Sequence, residues 1–218
     1  MDMNSKFIYS ILIAVVVLSG VGIGYVIQHP NMADPDSTST AATGGVYNLN
    51  LVITTNNYFN STSQQPAYYV LQNGTLTSSA NIALPANTLI EVTIFSYDDG
   101  NAPVPASYQN VTGTTNNQIT VFNNTNVNSS ETNNGIQLNG SWKTGSVPLG
   151  DIAHTFTVSG IGLNVPIPVS SIVQFSFESG NAGQSYTWQC YADCGSGASG
   201  WGQAMSTPGW MTGTISIQ

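Results

Sequence analysis

The sequence predicts an all-β sandwich that stands outside a membrane on an N-terminal transmembrane helix, and two observations predict it. From Val46 onward short β-type runs are divided by Gly, Pro and Asn clusters, and no stretch keeps a helical apolar period. Before them, Phe7 to Ile27 (FIYSILIAVVVLSGVGIGYVI) runs about 21 residues without a charge, close to the roughly 20 that a helix needs to cross a bilayer core. The chain has 218 residues, and the part beyond that run is long enough for one good core.

Residues 1–27 read as an uncleaved anchor, because a signal peptide has an apolar region of about 7–15 residues and a small-residue exit. Lys6 precedes the run, and the positive-inside tendency keeps that end in the cytoplasm. A single-pass protein of the cell membrane with its C-terminal domain extracytoplasmic is therefore expected. Residues 28–45, rich in Pro, Gly, Ser and Thr, read as a flexible stalk, and His29 within it as a juxtamembrane polar residue.

The domain proper is 46–218. Its expected strands are Tyr47–Thr54, Ala67–Leu71, Thr88–Tyr97, Gln118–Phe122, Gly135–Trp142, Ala153–Val158, Ile172–Glu178, Ser185–Cys190 and Met211–Ile217, a set that implies a sandwich or barrel. Thr88–Tyr97 is partly apolar on both faces and so is expected at the centre of a sheet. Between about residues 98 and 134 the chain turns polar and Asn-rich, which reads as an insertion carrying at most one small strand.

Charged residues are 6% of the chain and the only basic ones are Lys6 and Lys143, so no phosphate-binding surface can be assembled and nucleic acid is excluded as a partner. The few, scattered carboxylates mean that protonating them removes few ion pairs, which suits an acidophile's surroundings. Asn60, Asn73, Asn110, Asn123, Asn128 and Asn139 each open an N-x-S/T sequon, as expected of an extracellular glycoprotein.

The residues able to carry chemistry lie between Asp151 and Gln218: His154 in DIAHTFTV, then FSFESG, then GQSYTWQCYADCGSG with Cys190 and Cys194, and finally MTGTISI beginning at Met211. This order resembles the copper (CuA-type) domain of cytochrome oxidase subunit II: a His in an H-S-F-like element, an aromatic strand leading to C-x3-C-G-x-G, and a Met before a final G-T-I strand. A single anchor followed by such a domain is also similar to the shorter subunits of that family. The resemblance covers about 65 residues and implies a cupredoxin-like Greek-key β-sandwich for electron transfer. It also implies copper as cofactor, and His154, Cys190, Cys194 and Met211 as ligands, with Met205 a rival thioether. Soft sulfur and imidazole donors suit that metal. Ala192, between the cysteines, would lend its carbonyl.

One ligand is missing. The family's second His would follow C-G-x-G, where this chain has Ala198, and no His lies downstream. Two cysteines in an oxidising compartment also have an ordinary alternative, a Cys190–Cys194 disulfide. Trp188, Trp201 and Trp210 could cover a site, shape a docking surface or simply pack. No nucleophile, base and orienter assemble around Asp193, so a hydrolase has no support. The residues leave three functions open: an atypical copper electron-transfer protein working with oxidase subunits or a redox partner; an oxidase subunit II relative that has lost its copper; and a metal-free glycosylated cell-surface or filament protein with self-association through sheet edges.

Overall fold

The computed structural model describes residues 45–55, 65–124, 138–195 and 203–218. The expected anchor 1–27 and the stalk as far as residue 44 lie outside the described residues, as do Asn60, Asn128, Ala198 and Trp201 and the side chains of Asn123 and Asn139. Among the described residues no helix is long and apolar enough to cross a membrane.

Two β-sheets pack face to face. The larger is ordered β3-β2-β1-β5-β10-β6-β7 and the smaller β4-β12-β11-β8-β9. The strands are β1 (Val46–Thr54), β2 (Ala67–Gln72), β3 (Thr75–Ser78), β4 (Asn81–Leu84), β5 (Leu89–Ser96), β6 (Ile119–Asn124), β7 (Leu138–Thr144), β8 (Ile152–Val158), β9 (Leu163–Pro168), β10 (Ser171–Glu178), β11 (Ser185–Gln189) and β12 (Thr212–Ile217). One helical turn, α1 (Gln203–Ser206), precedes β12. The β-sandwich expected from the sequence is present.

The strand with two partly apolar faces is central, as expected: β5 pairs parallel with β1 on one side and antiparallel with β10 on the other. Ile90, Val92 and Ile94 point into the core from it. Three strands escaped the sequence reading. β3 is a four-residue polar edge strand, joined to β2 through Asn73-Gly74, both at positive φ, the conformation of a tight hairpin turn. β4 is equally short, and β9 carries Pro166 and Pro168, which a strand tolerates at an edge, where it sits. Of the strand expected at Gly135–Trp142, residues 135–137 lie outside the described residues; the described part begins at Leu138, runs on to Thr144 and pairs with β6.

The polar stretch after β5 is tied to the sandwich. It supplies β6, buries Val111 and Val121, and exchanges backbone hydrogen bonds between Thr112 and Asn164 of β9. Of the sequon residues it contains, Asn110 is exposed, as is Asn73 in the β2–β3 turn.

Tyr68, Phe156 and Trp188 meet between the sheets, with ring centroids 5.1–6.0 Å apart. Burying each such side chain is worth about 1.5–3 kcal/mol. Trp188 lies across from Gly213 in the β11–β12 ladder and donates its indole N–H to the Ser79 carbonyl at 3.0 Å. A methyl group on Gly213 would collide with the indole nitrogen and lie 2.6 Å from the Ser79 carbonyl, so this position requires glycine. Trp188 and Trp210 are thus both buried packing residues.

Candidate metal centre

The smaller sheet brings together the residues singled out between Asp151 and Gln218. β8 is buried along its whole length, which departs from strand alternation because one face meets the core while the chain around Cys190–Gly195 covers the other end. A bulge between Ile152 and His154 in the β8–β9 ladder locally redirects the strand. His154 is 1% exposed.

β11 meets β8 only at Gln189 opposite Thr157, and beyond that pair the two strands part. The opening is filled by side chains. The Thr155 N–H, freed from the ladder, points at Cys190 Sγ (3.3 Å), and the Tyr191 N–H donates to Thr155 Oγ1 (2.8 Å). The loop then folds back tightly, the Cys194 N–H donating to the Ala192 carbonyl at 2.8 Å and the Asp193 N–H to the Pro103 carbonyl at 2.8 Å. Gly195 comes next at φ +88°, where a side chain would press on Gln65 and Ala204.

His154 Nδ1, Cys190 Sγ and Cys194 Sγ all lie within 4.8 Å of one another and all three residues are buried. Nδ1 is 2.9 Å from Cys194 Sγ, and the two sulfurs are 3.4 Å apart. A disulfide bond is about 2.05 Å long, so these are two thiols in contact. Met211 joins through its backbone, its carbonyl accepting the Cys190 N–H at 2.8 Å. Met205 is buried on α1 and its carbonyl accepts from the Gln189 side chain.

Asp98 was not anticipated as a site residue. Its Oδ2 lies 3.0 Å from His154 Nε2, which makes this the ion pair of the centre. The only trace in the sequence is a carboxylate just past the central strand, at the head of a stretch whose composition reads as solvated loop. Tyr68 was missed too: its ring stands edge-on to the imidazole, centroids 6.2 Å apart at 73°, and its hydroxyl donates to the Thr155 carbonyl at 3.0 Å.

These contacts set the electrostatics of the metal-free centre. Burial alone would lower His154, but the hydrogen bond to Asp98 and the neighbouring thiolate outweigh it and raise the imidazole to about 9. Burial likewise opposes ionisation of Cys190, yet the hydrogen bond from Cys194, the cationic His154 and the Thr155 N–H hold it well below the ordinary thiol range. Cys194, as the donor to that thiolate and itself buried, is pushed well up. Asp98 is lowered, the His154 hydrogen bond overcoming its desolvation. Burial and the cysteine charges push Tyr68 well up, so its hydroxyl stays protonated.

No protein-family model and no curated protein matches this sequence. Among solved structures it is similar to rusticyanin from Thiobacillus ferrooxidans, at 12% identity and TM-score 0.33, covering 85% of this chain and 87% of that one. It is similar to auracyanin B at 13% identity and TM-score 0.32, covering 84% and 93%. A multi-copper oxidase from Pediococcus acidilactici is similar at 10% identity and TM-score 0.31, covering 87% of this chain and 29% of that one. At such scores the likeness is slight, and what the centre can do depends on its side chains.

Proposed function

We propose that this chain is a copper-binding, cupredoxin-like electron-transfer protein, held at the outer face of a cell membrane by Phe7–Ile27 and serving oxidase subunits or another redox partner. The observation that carries the proposal is the convergence of one imidazole nitrogen and two sulfurs within 4.8 Å in a buried pocket of a β frame. Thiolate and imidazole are the donors that suit copper.

The donor set fits one soft cation. His154 and His29 are the only histidines, and His29 lies at the membrane boundary of the sequence, so a two-copper centre lacks its second imidazole and a His2Cys site is equally incomplete. His154, Cys190 and Cys194 would hold the ion, with Met211 as the further candidate named by sequence order. Copper bound there supplies a one-electron Cu(I)/Cu(II) couple. The chain's own part is to keep the donors in place: β8 fixes the imidazole, the Thr155 N–H steadies Cys190 Sγ, and burial shields Cys190 from water. The likeness of residues 151–218 to the oxidase subunit II copper domain supports the respiratory setting.

A second reading has one observation in its favour. Two thiols in contact at 3.4 Å need little movement to oxidise, and a Cys190–Cys194 disulfide would leave a metal-free sandwich serving as an oxidase docking part or a glycosylated surface protein. Copper stoichiometry and visible absorption of the full chain in detergent, reduced and then loaded, separate the two. About one copper per chain with thiolate charge-transfer bands that vanish in Cys190→Ser supports the electron-transfer reading. Absence of copper together with a disulfide sinks it, and zinc in its place would make the centre structural.

A further inference from the structure

We infer that Asp98 is the positioning residue of this centre: it fixes His154 as the tautomer whose Nδ1 lone pair faces the two sulfurs, an inference that rests on the copper reading above. A neutral imidazole carries one proton, on either nitrogen. An ionised carboxylate only accepts hydrogen bonds, so Oδ2 at 3.0 Å from Nε2 keeps a proton there, and when the metal-free imidazolium gives up one proton to become a ligand it is Nδ1 that is left bare. Nδ1 is the nitrogen that faces Cys194 Sγ at 2.9 Å.

The carboxylate is held independently of His154. Its Oδ1 accepts the Gly100 N–H at 2.9 Å, and the Asp98 backbone carbonyl accepts the Ser170 N–H at 2.8 Å. Both neighbours of the carboxylate are therefore donors, and each oxygen answers one of them. An Asn in the same place has one oxygen and one NH2 group: its oxygen towards His154 sets the NH2 against the Gly100 N–H, and its NH2 towards His154 drives the ring proton to Nδ1. Asp98 is consequently not replaceable by its nearest isostere, which a purely space-filling residue would be. The ring itself is braced by the edge of Tyr68, so the hydrogen bond selects between nitrogens in a ring already oriented. Partners of this kind, behind a ligating His, typically change metal affinity by about 10–100-fold.

Asp98 also borders a cleft of about 160 Å³ shared with Asn101, His154, Asp193 and Cys194, wide enough to admit a small anion. The test uses the full chain in detergent and measures Cu(I) affinity by competition with a chromophoric chelator for wild type, Asp98→Asn and Asp98→Ala. Both variants are expected to bind about 10–100-fold more weakly. Added formate is expected to restore Asp98→Ala, whose carboxylate site it can fill, and to leave Asp98→Asn weak. Wild-type affinity in both variants overturns the inference while the copper reading stands. A wild type that takes up no copper overturns the copper reading and this inference with it. Should the variants fail to fold, proton–nitrogen NMR of the Cu(I)-loaded wild type decides the matter: a proton on His154 Nε2 supports the assignment, and one on Nδ1 overturns it.

Discussion

The two sheets of the sandwich do different work. In the larger sheet β5 lies between β1 and β10 with long, regular ladders, and its buried residues are aliphatic and aromatic apart from Ser96 at its end. The smaller sheet is interrupted where the larger is continuous. Its β8 and β11 share one residue pair and then separate, its β8–β9 ladder bulges beside His154, and the donors occupy the gap. Yet the larger sheet is not a passive backing. Tyr68 on β2 braces the imidazole, and Asp98, two residues beyond β5, holds its far nitrogen. The regular sheet orients what the irregular sheet presents. A buried ladder with no gap would satisfy every N–H with a carbonyl, leaving none, like that of Thr155, to meet a sulfur.

Breaking the centre should have the largest effect. Cys190→Ser or His154→Ala is expected to take copper from about one per chain to none, read by metal analysis after gel filtration, because three donors are the minimum for a closed soft site. Far-UV circular dichroism should show the sandwich intact. If copper stays bound to both variants, the centre lies elsewhere.

Next in size is a core truncation in the larger sheet. Ile94 is fully buried at the middle of β5, and Ile94→Ala should cost about 2–5 kcal/mol in denaturant unfolding while leaving the spectrum of the loaded protein unchanged. A shifted spectrum would show that the two sheets are more tightly coupled than their ladders suggest. Gly213→Ala tests the smaller sheet in the same assay. A methyl group there has no room beside Trp188 and the Ser79 carbonyl, and overpacking of this kind should cost about 1–3 kcal/mol. Unchanged stability would mean that Trp188 moves freely.

The smallest expected effect is a missing slope. In the metal-free protein His154 is raised to about 9, so its stabilising contribution is complete below the ordinary imidazole value of about 6.5 and is lost as pH rises through about 9. Cys190 is lowered, so its contribution grows as pH rises towards the ordinary thiol value of about 8.5. Between about pH 6.5 and 8.5 the folded chain keeps on His154 the proton that Cys190 released, while the unfolded chain does the reverse. The two states then bind equal numbers of protons, and the melting temperature by scanning calorimetry should stay level across that window. Cys190→Ser removes the opposing contribution and part of what raises His154, but the Asp98 hydrogen bond, the largest cause raising it, remains, so its stability should fall with rising pH. Parallel curves for the two proteins would show that no proton passes between His154 and Cys190.

By itself the sequence determined the fold class and singled out three residues of the candidate centre. Alternating apolar runs divided by turn residues specify strands because side chains alternate across a strand, and β5 could be placed at the centre because both its faces are partly apolar. C-x3-C-G-x-G with an upstream His singled out His154, Cys190 and Cys194 through the resemblance it carries to the oxidase subunit II copper domain, with a disulfide left open. Only the tertiary structure decided that the three converge, that the cysteine sulfurs stand 3.4 Å apart, and that Asp98 stands behind the imidazole. Asp98, in the loop after β5, and His154, on β8 of the other sheet, are 56 positions apart, and their contact depends on how the sheets pack. Periodicity fixes which face of a strand is buried, but the neighbour across the core is fixed by packing of the whole chain, which no local pattern encodes.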